Sequence, residues 1–243
     1  MNEETTPLVR FDPPLVQATL LKRYKRFLAD VRLPDGREVT AHCPNPGSML
    51  SLIQGDRQNV WLTPVDNPAR KLKWTLEIMD VDGVPVCVNT QRPNDLAAAL
   101  IAAGLVPELS GYETIRREVR YGENSRIDLL LQGPGRPDCY VEVKGVTLSR
   151  EPGLVEFPDS VTKRGAKHLA ELSAMAGAGH RAVMFYLSPR PDGEAFRPAA
   201  DIDPAYDEAL RLARVAGVEA VCQTCQVSVR GIYPGNAIPI LTD

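Results

Sequence analysis

Long hydrophobic runs are missing from this 243-residue sequence. No apolar stretch approaches the roughly 20 residues that a bilayer-spanning helix needs. The opening residues, Met1-Asn2-Glu3-Glu4-Thr5-Thr6, are polar and acidic, whereas a secretory leader is basic and then apolar. Both absences predict a cytoplasmic chain without a membrane partner. Basic excess is missing too: the formal charge is −3, so net charge does not announce nucleic acid. Cysteine is sparse, at positions 43, 87, 139, 222 and 225, and without a secretory leader it suggests no disulfide framework. Cys222-Gln223-Thr224-Cys225 is a single C-x-x-C with no second pair, and His42, His168 and His180 are scattered. A structural zinc site would lack two ligands, so these cysteines read as small buried residues. No glycine-rich phosphate loop, internal repeat or low-complexity tract occurs, which excludes the P-loop and solenoid classes.

What is present suits one large domain or two small ones, and 44% apolar residues suffice for a real core. From Pro14 to about Val88 the text reads as short strands, over 15–22, 24–33, 37–43, 57–65, 71–81 and 84–88. Pro34-Asp35-Gly36 and Asp82-Gly83 supply tight turns. This predicts an all-β small barrel, OB-fold-like, over 1–88, preceded by an extended lead-in over 1–13. A second domain, 89–243, follows. An Ala-rich helix over 93–104 has Asn94 as candidate cap and Gly104 as its stop. Strands over 112–121, 125–131 and 139–148 come next, then a loop over 149–160 marked by Pro152, Gly153 and Pro158. Helices over 162–176, capped by Asp159 or Ser160, and over 204–216 alternate with strands over 181–187 and 220–229. The order predicts an α/β domain with a mixed sheet flanked by helices.

Chemistry concentrates in one hairpin. Ser125-Arg126-Ile127-Asp128-Leu129-Leu130-Leu131 and Cys139-Tyr140-Val141-Glu142-Val143-Lys144 flank a breaker cluster centred on Gly135. Asp128 and Glu142 are equidistant from Gly135, so a symmetric loop sets them opposite one another. Strand alternation puts Glu142 and Lys144 on one face and Val141 and Val143 on the other. Two opposed carboxylates repel. A divalent cation resolves the conflict, and Mg²⁺ (or Mn²⁺) is typically held by one or two carboxylates with waters and substrate phosphate. Asp128, Glu142 and the Val143 carbonyl are the candidate metal ligands. Asp128, Glu142 and Lys144 are the candidate catalytic set, with Lys144 orienting or helping to deprotonate the attacking water. The same spacing also fits a solvated strand face with an ordinary Glu/Lys pair.

Basic residues are unevenly spread. Lys22-Arg23-Tyr24-Lys25-Arg26 and Arg70-Lys71-Leu72-Lys73 lie beside aromatics, and Arg116, Arg117, Arg120 and Arg126 precede or enter the hairpin. Such patches fit a nucleic-acid surface, and equally fit solvated strand faces. Candidate nucleic-acid contacts are Lys22, Arg23, Lys25, Arg26, Arg126, Thr162 and Arg164. Thr162 doubles as a possible helix cap, and Asn94 is a candidate support for the site.

His42-Cys43-Pro44-Asn45-Pro46-Gly47-Ser48-Met49, Ser125-Arg126-Ile127-Asp128, Tyr140-Val141-Glu142-Val143-Lys144 with Val146-Thr147-Leu148, and the run from Phe157-Pro158-Asp159-Ser160 through Thr162-Lys163-Arg164-Gly165 to His168-Leu169 occur in that order. Together they resemble the sugar fermentation stimulation protein family over nearly the whole chain. Asn45-Pro46 and Asp159-Ser160 depart from the commoner Asn-Thr and Asp-Ala of that family, away from the candidate acids. The resemblance implies an N-terminal OB-like domain and a C-terminal PD-(D/E)xK nuclease-like domain. It also implies DNA as partner and a link to sugar, notably maltose, metabolism. Three functions stay open: a Mg²⁺-dependent nuclease, a non-catalytic DNA-binding regulator, and a protein that binds a small phosphorylated ligand.

Overall fold

The structure, a computed structural model, describes residues 6–55, 57–122 and 125–241. Residues 1–5 of the expected lead-in lie outside the described residues. The first strand, β1 (Val9–Arg10), pairs with the last strand of the chain rather than with the barrel.

The barrel is built from β2 (Val16–Tyr24), β3 (Leu28–Arg32), β4 (Glu38–His42), β5 (Gln58–Pro64), β6 (Trp74–Val81) and β7 (Val84–Cys87). The ladder runs β4-β3-β2-β5-β6, and His42 beside Thr75 joins β4 back to β6, closing five strands, with β7 appended. Inward alternation fills it with Ala29, Val31, Ala41, Val60, Leu62 and Met79, all essentially inaccessible to water. At Asp82-Gly83 both residues have positive φ (52° and 84°), as a two-residue hairpin requires. The expected strand break at Arg23 lies instead at Lys25 and Arg26, which have positive φ of 48° and 65°. No glycine, proline or asparagine marks that turn, so the sequence hides it.

The second domain begins with α1 (Arg92–Ala102), followed by β8 (Thr114–Tyr121), β9 (Ser125–Gln132) and β10 (Cys139–Gly145). Then come β11 (Leu148–Glu151), β12 (Leu154–Phe157), α2 (Lys163–Gly177), β13 (Arg181–Ser188) and β14 (Ala195–Pro198). The chain ends with α3 (Pro204–Val215), β15 (Glu219–Ser228) and β16 (Gly231–Ala237). Seven strands form a mixed sheet in the order β1-β16-β15-β13-β10-β9-β8, with β10, β13 and β15 parallel. One face packs on α1 through Leu96, Leu100, Leu129, Val141, Val143 and Phe185. The other packs on α2 and α3 through Leu169, Leu172, Met184, Tyr186, Tyr206 and Leu210. A buried Leu of this kind contributes about 1.5–3 kcal/mol, so both helix layers are fixed firmly against the sheet.

The stretch expected as a loop over 149–160 contains a hairpin. β11 and β12 are antiparallel, Glu151 pairs with Leu154 around Pro152-Gly153, and β12 runs parallel to β14. The breakers form the hairpin's two-residue turn, with Gly153 at φ 76°, rather than a long loop. The cap of α2 is Thr162, whose hydroxyl oxygen accepts from the Gly165 N–H at 3.0 Å. Asp159 reaches the barrel instead, accepting from the Met49 N–H at 3.0 Å and, at its carbonyl, from the Ser48 hydroxyl at 2.7 Å. Gly47 sits so near that an added Cβ would lie 2.5 Å from an Asp159 oxygen. Ser149 N–H donates to the Ser51 hydroxyl and Cys87 N–H to the Pro189 carbonyl, both at 3.0 Å. Barrel and sheet are thereby stitched together at several points.

Candidate active site

The β9–β10 ladder pairs Leu131 with Cys139, Leu130 with Tyr140 and Leu129 with Val141. The next step in that register is Asp128 with Glu142, and there the backbone ladder stops. The Asp128 side chain takes over: one oxygen accepts the Val143 N–H at 2.8 Å, the other the Asn94 amide at 2.8 Å. Asn94 is therefore no cap. Gln91 precedes the helix without a side-chain bond, and Asn94 spends its amide on the site from the first turn of α1. Gly145 lets the helix approach, since a Cβ there would lie 2.8 Å from Pro93 Cγ.

Glu142 is buried and shares its face with Lys144, whose Nζ donates to Oε1 at 2.7 Å. The same oxygen meets Nδ1 of His168, on α2. Burial alone would raise the Glu142 carboxyl, but His168 and Lys144 outweigh it and hold the carboxyl below its usual range. The other oxygen, Oε2, is buried and has no hydrogen-bond partner among the described residues. Asp128 shifts the opposite way. Burial first, and then the Glu142 charge, push it above the usual carboxylate range, with partial relief from the Val143 N–H, Lys144 and Asn94. An orphan lone pair on one acid and a disfavoured charge on its neighbour are what a shared cation would relieve.

His168 was not singled out by the sequence as a site residue. Arg164, one turn earlier on α2, donates its Nε–H to His168 Nε2 at 3.1 Å. Guanidinium only donates, so Nε2 accepts and the ring proton sits on Nδ1, facing Glu142. Arg164 and His168 are four apart on a helix, a spacing that puts both on one face. That periodicity is the signal that could have found them; what was illegible was which face of the sheet α2 would cover.

The other candidates are scattered. Arg126 is exposed on β9, two residues before Asp128 and directly across the ladder from Arg120. Thr162 is occupied as a cap, and its N–H donates to Asp203 at 2.7 Å. In the barrel, Arg23 donates to the carbonyls of Asn45 (2.9 Å) and Gly47 (2.8 Å), and Arg26 to that of Pro46 (2.9 Å). These two bases brace the Pro44–Gly47 loop. Lys22 and Lys25 are exposed, Lys22 lying 5.8 Å above the Tyr24 ring. All five cysteines are buried and unpaired by disulfide. Cys222 faces the α2–α3 side and Cys225 the α1 side of β15, so the C-x-x-C cannot chelate one ion. No described helix is long and apolar enough to cross a membrane.

Two family models match the chain. The model described as the sugar fermentation stimulation protein RE domain covers residues 91–231, and that of the SfsA N-terminal OB domain covers 21–88. A sugar fermentation stimulation protein homolog from Paramagnetospirillum magneticum is 58% identical, over 93% of this chain and 95% of its own. One from Rhodospirillum centenum is 57% identical, over 92% and 96%. The solved structure of Pyrococcus furiosus SfsA in complex with Ca²⁺ superimposes with a TM-score of 0.87 at 28% identity, covering 98% of this chain and all of that one. With both halves of the chain matched in order and relatives aligned almost end to end, the chain belongs to the sugar fermentation stimulation protein family.

Proposed function

We propose that the protein binds DNA and hydrolyses phosphodiesters at a Mg²⁺-dependent, nuclease-like site formed by Asp128, Glu142 and Lys144. The observation that carries this reading is Glu142 Oε2, buried and without a partner beside an Asp128 whose charged form is disfavoured. Asp128, Glu142 Oε2 and the Val143 carbonyl would hold the ion. Val143 turns its N–H toward Asp128, and N–H and C=O of one strand residue point to the same side. Among the described residues no three His, Cys, Asp or Glu side chains cluster as a metal cage. Two carboxylates, waters and a substrate phosphate suit Mg²⁺ better than a structural metal. A Ca²⁺ complex of the Pyrococcus relative agrees with an oxygen-rich site.

When bound, the cation polarises the phosphoryl oxygen and lowers the pKa of water. The chain's own residues do the rest. Lys144, whose Nζ lies on Glu142 Oε1, would orient the attacking water and offset charge developing on the phosphate. His168, held by Arg164, keeps Glu142 Oε1 occupied, so that Oε2 is the oxygen left for the ion. Asn94 fixes the rotamer of Asp128. Arg126 and Arg120, like charges opposed on an exposed ladder, gain from an anionic strand laid across them. With Mg²⁺ or Mn²⁺, purified protein should cut at least one of single-stranded, duplex, branched DNA or RNA. Asp128→Asn, Glu142→Gln and Lys144→Ala should lose cleavage while keeping binding. No cleavage on any substrate would refute hydrolysis.

One observation favours the alternative, a non-catalytic DNA-binding regulator of sugar-metabolism genes. Glu142 already has Lys144 and His168 as partners, so its charge is compensated without an ion. Under that reading the three variants bind DNA with wild-type metal dependence, and affinity falls steeply with salt.

A further inference from the structure

Between barrel and sheet lies a cleft of about 250 Å³. Two of its lining residues, Asn94 and Val143, are the ones bonded to Asp128, so the cleft adjoins the candidate active site without including its acids. Its walls combine flat apolar surfaces, Phe157, Pro46 and Pro93, with the side-chain amide of Asn45, whose oxygen accepts the Gly47 N–H and whose NH2 is left for a ligand; Asn89 also lines the cleft, but its amide is spent on Glu77 and Gln91. Among the described residues no Lys or Arg lines it. Its two acids are engaged: Asp159 by Ser48 and Met49, Glu156 by Arg150 and Arg197. The lining repels phosphate and offers nothing to a second cation. It suits a flat, neutral ring with a polar acceptor edge, sandwiched by apolar faces and read by the Asn45 amide. The volume, about 250 Å³, lies below the range of drug-sized ligand pockets and is of the order of one base with its sugar. The cleft is preformed, because the Pro44–Gly47 wall is held by Arg23 and Arg26 from behind, by Thr90 donating to the Pro44 carbonyl, and by Ser48 on Asp159.

We infer that this cleft is a nucleobase pocket that takes one unpaired base of the strand whose adjacent phosphate lies at Asp128 and Glu142. The inference rests on the proposed function and deepens it. The base must leave the stack to enter, which costs a few kcal/mol in a duplex and little in a single strand, overhang or mismatch. The substrate class is therefore nucleic acid with an unpaired nucleotide, and the barrel contributes one wall of the pocket rather than a separate binding platform.

The test uses full-length protein with Ca²⁺ and single-stranded DNA oligonucleotides carrying 2-aminopurine at one position at a time, end to end. Unstacking brightens this base, so fluorescence should rise on binding at one position and little elsewhere. An abasic residue at that position should weaken binding about tenfold, within the range that stacking one base contributes. Thr147 lines the cleft, so Thr147→Phe should fill it and abolish the position-specific signal, whereas Thr147→Val, nearly isosteric, should keep it. Equal signals at all positions, an undiminished signal in a folded Thr147→Phe protein, or no binding at all would overturn the pocket. Cleavage of the same strands in Mg²⁺ is scored separately. Cutting without a position-specific signal removes the pocket and leaves hydrolysis standing; a position-specific signal without cutting does the reverse.

Discussion

Glu77, Glu142 and Glu156 are all buried to within 2% of full exclusion from solvent, yet they are treated differently. At the barrel–helix junction, Glu77 accepts from Thr63, Asn89 and Arg92, with both oxygens occupied. On β12, Glu156 receives both arms of Arg150 and one of Arg197. Glu142 has two partners crowded on one oxygen and none on the other. A carboxylate kept for stability has its lone pairs filled, because each unfilled buried one costs about 1–3 kcal/mol. Glu142 Oε2 shares its unpartnered state with Arg23 Nε, Tyr121 OH and Glu171 Oε2 among the described residues, but of these it alone belongs to the candidate acid pair beside Lys144.

That contrast can be broken from either end. Glu142→Gln should reduce cleavage by about 10²–10³-fold, the size expected when one charge-stabilising group is lost, while the melting temperature moves little. Assays under single-turnover conditions beside thermal melts check both halves. Glu77→Ala should do the opposite. Leaving Arg92 half-buried and unpaired should destabilise by about 3 kcal/mol, at the low end for a broken buried pair because Arg92 keeps a quarter of its exposure. Urea denaturation measures the loss, and activity per folded molecule should stay.

His168→Asn should weaken cation affinity about 10-fold or more by freeing Glu142 to rotate, as loss of an outer partner typically does. Titration calorimetry with Mn²⁺ reads this directly, and His168→Gln, which can still donate to Oε1, should recover part of it. The smallest effect concerns acid stability. Arg150 and Arg197 hold Glu156 below its ordinary value of 4.5 despite burial, and Arg150 holds Asp201 down to about 2. A lowered folded pKa gives stability that is complete above the unfolded value and lost as pH falls through the folded one. Wild type should therefore lose stability progressively from about pH 4.5 toward pH 2, and Glu156→Gln should flatten that part of the profile. Denaturation midpoints across pH 2–6 would show the change in slope, and identical slopes would mean the arginines contribute nothing there.

Much of the site was legible because it is local. Gly135 centres the hairpin, so Asp128 and Glu142 meet by counting, and the i, i+2 spacing alone puts Lys144 beside Glu142. Asn94 reads from the sequence both as a cap and as a support for the site; packing of α1 on β9 turns its amide to Asp128, which removes the first reading and agrees with the second. His168 and Arg164 were visible at helical spacing, with nothing to say that α2 covers the Glu142 face. The basic cluster reads as a nucleic-acid or solvated surface, whereas two of its members, Arg23 and Arg26, donate to carbonyls 20 to 24 residues away in sequence. Pro152-Gly153 reads as part of a loop because a tight turn and a loop share the same breakers, and only the pairing of β11, β12 and β14 shows which is built.

The sequence by itself determined the periodicities: a barrel of short alternating strands, then helices interleaved with strands, and an acid–acid–lysine hairpin whose register follows from its symmetry. Those are near-neighbour properties, set by backbone geometry and turn chemistry. Tertiary structure alone decided which oxygen of Glu142 stays bare, that α2 supplies its His168 partner, and that barrel and sheet enclose a cleft without basic side chains among the described residues beside it. These depend on groups far apart in the chain arriving within about 3 Å of one another, the range of a hydrogen bond, and local pattern carries no information about such meetings.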